Sequence, residues 1–145
     1  MKYPAAAVGA GIGMMINLIV FSNAWRVGIL PKGYDFVHDF GKSLVRIDSK
    51  PVTYALRFVV GIIFHPVIFV FVWGPDGLLG INPLNSAVLS AVLLLALESL
   101  LFAIVLWARS LGIPPKELVG RVAVLQSVLH IILGVLMGLS YEILA

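Results

Sequence analysis

The sequence predicts an all-α protein: four transmembrane helices in an up-down-up-down bundle, with an amphipathic helix lying in the membrane interface after the first span. Three observations predict it. Of 145 residues, 61% are hydrophobic and only 12% charged, about half the charged share of a soluble domain. Four stretches are long enough to cross a hydrocarbon core of ~30 Å, which takes roughly 20 apolar residues in a helix. The basic residues gather in two of the three connecting loops. Open strands at that depth would leave backbone groups without water or partners, so helices are the expected spanning form. Residues 1–145 therefore form one membrane domain.

The first span covers residues 4–24 and is rich in small residues, with Gly9, Gly11 and Gly13 in its first half. Gly9 and Gly13 make a GxxxG face suited to close helix contact, here a candidate contact surface between subunits. The span is long for a signal segment and has no small-residue cleavage motif, so it is expected to stay with the chain. In the loop that follows, residues 34–47, Val37, Phe40, Leu44 and Ile47 recur at helical spacing. Asp35, His38, Asp39, Lys42 and Arg46 fill most other positions, an amphipathic pattern expected to turn its apolar side toward acyl chains. His38 falls on the polar, solvated side of that helix.

The second span covers residues 54–73 and carries His65, followed by Pro66, which kinks a helix and frees the carbonyl one turn back. Gly74-Pro75-Asp76-Gly77 and Gly80-Ile81-Asn82-Pro83 end it with turn residues. The third span, residues 86–107, stops before Pro114-Pro115, and the fourth covers residues 122–144. Trp25, Trp73 and Trp107 stand at span ends, where indole rings favour the interface.

Direction follows from charge. Arg26, Lys32, Lys42, Arg46, Lys50 and Arg57 lie in or beside the first loop, and Arg109, Lys116 and Arg121 in or beside the third; of the ten Lys and Arg residues, only Lys2 is elsewhere. The positive-inside rule puts loops 1 and 3 in the cytoplasm and both ends of the chain outside, in a multi-pass protein of the cell membrane. The net charge of +3 is thereby accounted for by topology and by contact with anionic lipids at the cytoplasmic face, with no call for nucleic acid. Cysteine is absent, which excludes disulfides, thiolate metal sites and cysteine nucleophiles.

Gly28-Ile29-Leu30-Pro31-Lys32 and Gly112-Ile113-Pro114-Pro115-Lys116 agree at four of five positions, and each precedes a span with one histidine. Two like-oriented hairpins from a duplication would give this pattern. So would the convergence of cytoplasmic turns on Gly, Pro and Lys.

One polar layer carries the functional signal. Counted from the cytoplasmic ends at about 1.5 Å per residue, Asn17, His65, Glu98 and His130 fall in a slab ~6 Å thick near mid-bilayer, one from each span. Polar groups at that depth face the bundle interior or a water-filled cavity. Ser127, His130, Gly134, Gly138 and Tyr141 draw one small-and-polar stripe on the last helix, and Gly61 lies one turn from His65.

Three readings are open. In the first, Glu98 pairs with one or both histidines, Asn17 or Gln126 completes the hydrogen bonds, and the layer fixes which helices are neighbours. In the second, His65 and His130 hold haem b as axial ligands, with Arg57 and Arg121 about two turns away toward the cytoplasm for the propionates. That arrangement resembles cytochrome b proteins, although the second histidine pair of a two-haem cytochrome is missing. In the third, His65, Glu98 and His130 bind a metal ion or relay protons, in a channel or transporter. No Ser-His-Asp order, phosphate loop or paired acidic motif points to an enzyme.

The glycine-rich opening helix (Gly9, Gly11, Gly13), the polar loop helix and the closing helix with His130, Gly134, Gly138 and Tyr141 resemble a group of small four-helix membrane proteins of archaea and bacteria. The resemblance implies the fold and topology and carries no activity. The expected function is a non-enzymatic subunit or accessory component of a membrane assembly, a homo-oligomer or a complex with a partner membrane subunit.

Overall fold

The computed structural model describes residues 2–73, 81–109 (backbone only for 105–109) and 114–145. The turn residues Gly74-Pro75-Asp76-Gly77, Gly80, Gly112 and Ile113, and the side chains of Trp107 and Arg109, lie outside the described residues. Within them the chain is helical, with no strand: α1 (Lys2–Asn23), α2 (Phe36–Val45), α3 (Lys50–Phe71), α4 (Pro83–Arg109) and α5 (Val119–Leu144), the last entered through a 3-10 turn at Lys116–Leu118. Of these, α1, α3, α4 and the 3-10 turn with α5 are long and apolar enough to cross a membrane.

Helices α3 and α4 start a few residues before their apolar stretches, each opened by a proline near its first residue. Pro51 sits in the first turn of α3, where a missing N–H costs nothing, so the helix starts at Lys50. Before α4, the Asn82 side chain accepts from the Asn85 amide at 2.8 Å, an N-cap bond that allows Pro83 to open the helix. Helix α2 is shorter than its amphipathic pattern; Asp35 caps its start and Arg46 ends it in the left-handed region at φ 59°.

Helix α1 packs against α3 and α5, and α5 also packs against α4. Glycine makes these approaches close. A Cβ on Gly9 would strike the Leu136 carbonyl and Ser140 Oγ, and one on Gly13 would lie 2.8 Å from Leu133 Cα. The GxxxG face expected to serve contact between subunits is therefore spent inside the chain, on α5. Gly134 and Gly138 do the same toward α4, with Val88 Cα and Leu84 Cα each 2.8 Å from a built Cβ.

Buried apolar residues form three clusters. Ala5, Ala6, Ala10, Phe69, Ala87, Met137 and Tyr141 fill one end of the bundle. Met14, Ala91 and Leu133 fill the middle. Phe21, Leu125 and Leu129 lie at the other end, with Phe36 and Val37 of α2.

The presence of Phe36 and Val37 there corrects the expected pose of α2. Phe36 lies 5.5 Å from Phe21 and 5.6 Å from Phe102 between ring centroids, and Phe40 lies 4.6 Å from Phe102. These bundle aromatics draw the first half of the apolar face inward and leave Leu44 and Ile47 exposed. A polar clasp holds the docked helix. Asp35 accepts from the His38 amide at 3.1 Å and the Tyr54 hydroxyl at 2.8 Å, and pairs with Lys50 at 2.7 Å. His38 is not free in solvent: its ring bonds to Thr53 Oγ1 and Asp48 Oδ1, each at 3.1 Å. Lys42 also pairs with Asp48, and its hydrogen bond holds that carboxyl below its ordinary pKa. Asp35→Ala is expected to cost about 1 kcal/mol through the lost cap. Hydrogen exchange should show protection falling in α2 and staying unchanged in α1 and α5.

Pro66 breaks the backbone ladder of α3. The carbonyl four residues back, Ile62, accepts a hydrogen bond from the Tyr3 hydroxyl of α1 at 3.1 Å.

Candidate functional site

His65 comes from α3, Glu98 from α4 and His130 from α5, and both imidazoles are 1% exposed. Each ring is anchored to its own helix. His65 Nδ1 lies 3.1 Å from the Gly61 carbonyl and His130 Nδ1 lies 2.8 Å from the Gln126 carbonyl, both one turn back. A carbonyl only accepts, so in both rings Nδ1 carries the proton. In the neutral ring Nε2 is then left with a bare lone pair.

The two rings stand 5.4 Å apart between centroids, tilted by 40°. Neither Nε2 has a hydrogen-bond partner among the described residues. Glu98 reaches toward them: Oε2 lies 3.4 Å from His130 Nε2, in ion-pair range but without hydrogen-bond geometry. One donor atom from each of His65, Glu98 and His130 lies within 4.8 Å of the other two.

Arg57, offered by the sequence as a propionate contact, donates from Nη1 to Glu98 Oε1 at 2.9 Å. This ion pair was missed from the sequence, where Arg57 counts among the loop cations. The signal was there: a cation inside a span needs a counter-charge, and Glu98 is the only carboxylate deep in one. Arg121 goes elsewhere, donating to the Ile29 carbonyl at 3.4 Å beside an apolar surface groove lined by Ile29, Val124 and Val128.

Asn17 is 1% exposed and donates to Gln126 Oε1 at 3.3 Å, while its own Oδ1 has no partner among the described residues. Gln126 thus links two residues of the proposed layer, by its side chain to Asn17 and by its carbonyl to His130. Ser127, expected on the polar stripe, instead bonds the Ala123 carbonyl of its own helix at 2.8 Å. Tyr141 lies away from the imidazoles, edge-on to Phe69 at 5.1 Å.

The arrangement does not fit haem. A haem held by His130 would bring its porphyrin ring against Glu98 Oε2, which stands 3.4 Å from Nε2. The two arginines assigned to propionates are engaged with Glu98 and Ile29. What converges here is two imidazole nitrogens and one carboxylate oxygen, a set matched to a small cation.

Compared with known proteins, the chain matches no family model, no curated relative and no solved structure.

Proposed function

We propose that this chain is a small multi-pass protein of the cell membrane that works as a non-enzymatic subunit of a membrane assembly. Its helices run up-down-up-down, with loops 1 and 3 in the cytoplasm and both ends outside. Four long apolar helices support insertion. The bias of basic residues to two loops supports the direction. Gly9 against Leu136 and Gly13 against Leu133 support an antiparallel α1 and α5, since the partner number falls as the glycine number rises.

The Arg57–Glu98 pair carries the subunit reading. It sits on the flank formed by α3 and α4, with side chains 15% and 29% exposed. Only 22% of each of those spans is buried, against 44% of α1. Ion pairs opening on hydrocarbon are expensive, and in membranes such groups face protein or water. A second copy of the chain or a partner subunit over this flank removes that cost.

The absence of cysteine makes the test direct. A photo-crosslinker attached at Leu101→Cys, exposed one turn from Glu98, is expected to yield an adduct above monomer mass in native membranes. Its mass identifies the partner as a second copy or another chain. The same probe at Ile19→Cys, exposed on α1, serves as the comparison. Monomer alone from Leu101 would reject the assembly. For direction, maleimide should label Lys32→Cys from the cytoplasmic side and Lys2→Cys from outside; the opposite pattern would reverse the topology.

A further inference from the structure

We propose that His65, Glu98 and His130 form a binding site for one divalent first-row transition metal ion, of the zinc and cobalt type, inside the helix bundle. The proposal deepens the reading of the polar layer but needs no partner subunit, because all three ligands belong to one chain.

Three independent observations meet at this place. The first is the donor set: two imidazoles and a carboxylate suit zinc and its first-row neighbours. The second is orientation. In metal-ligating histidines the second ring nitrogen donates to a carbonyl or carboxylate, which fixes the tautomer and aims the lone pair. Gly61 and Gln126 carbonyls do this for both rings here. The third is that His65 Nε2 and His130 Nε2 are buried and without a partner among the described residues. A buried nitrogen left unpaired is costly, so two converging on one point call for an occupant.

Distances agree. Ligands at about 2.0–2.2 Å from a tetrahedral ion stand about 3.4 Å apart. The His130–Glu98 edge is already 3.4 Å, and the full set within 4.8 Å closes by small side-chain rotations. Glu98 can serve both neighbours, since Oε1 takes Arg57 while Oε2 faces the imidazole. The remaining coordination position is left to water. Arg57 sets the strength: its charge already balances Glu98, so it opposes a second cation and keeps the ion exchangeable.

Access is lateral. Phe69, Met137 and Tyr141 close the bundle on one side of the ligands, and Phe21, Leu125 and Leu129 on the other. Glu98, 29% exposed at the α3–α4 flank, is the ligand that reaches the outside.

The test uses the full chain, purified in detergent with a histidine-free tag, stripped with chelator and titrated with Co²⁺. Visible d–d bands are expected, saturating at one ion per chain and quenched by Zn²⁺. Glu98→Gln, which keeps the shape and a hydrogen bond for Arg57, and His65→Asn are each expected to weaken Co²⁺ binding at least tenfold. His38→Asn, at the histidine outside the cluster, is expected to bind as wild type does. Because a variant can lose binding by misfolding, Zn²⁺-dependent thermal stabilisation is read alongside; wild type and His38→Asn should gain it, and a helical, monodisperse Glu98→Gln should not. No bands in wild type would overturn the proposal, as would bands that survive both Glu98→Gln and His65→Asn. Imidazole nitrogens that respond to pH but never to metal would also overturn it, by assigning the lone pairs to a proton. A monomeric outcome in the crosslinking experiment leaves this titration untouched.

Discussion

Glu98→Leu is expected to lower stability by about 3–5 kcal/mol, the usual cost of stranding one member of a buried ion pair. Arg57 would then keep its charge at the α3–α4 flank with its side-chain acceptor among the described residues gone. The double variant Arg57→Leu/Glu98→Leu is expected to recover most of the loss, because replacing a buried pair by apolar residues is often neutral or stabilising by about 1–4 kcal/mol. Unfolding of the detergent-solubilised protein measures both. A double variant no better than Glu98→Leu would mean that Glu98 matters through His130 rather than through Arg57. An unaffected Glu98→Leu would show that the flank does not lie in a low-dielectric setting at all.

The second large effect belongs to α1. Gly13→Val is expected to cost more than the roughly 1–3 kcal/mol typical of overpacking, because the obstruction is main chain. Leu133 Cα lies 2.8 Å from a built Cβ, and backbone cannot rotate aside as a side-chain tip can. The whole α1–α5 contact must widen, with loss of the Gly9 amide bond to Ser140 Oγ at 3.1 Å. The contrast is Gly120→Ala, on α5, where nothing lies within 4 Å of the new carbon. That change is expected to raise stability by about 0.5–1 kcal/mol through the lower entropy of the unfolded chain. Melting temperatures of the two variants should move in opposite directions.

The four long helices were legible because composition alone requires them: apolar runs of that length admit few other structures. The residue types of the polar layer were legible for the same reason, since Asn17, His65, Glu98 and His130 are conspicuous among aliphatic neighbours. Their pairing was not. Depth along each helix follows from counting, but rotation about each axis depends on packing, and this decided that Glu98 meets Arg57 as well as His130. Gly9 and Gly13 were read as an outward face because a GxxxG pattern records closeness without naming the partner. Helix α2 showed its amphipathic spacing, yet the pattern could not say that Phe21 and Phe102 would offer Phe36 and Phe40 a better surface than lipid tails.

The hydrogen bond from Tyr3 to the Ile62 carbonyl bears on movement. A proline in mid-helix ordinarily creates a hinge, and His65 sits immediately beside it. Here the joint is bolted to the neighbouring helix, so the upper and lower halves of α3 swing only if the bolt is drawn. A phenylalanine at position 3 would leave the ring in place and draw it, turning a fixed strut into an articulated arm.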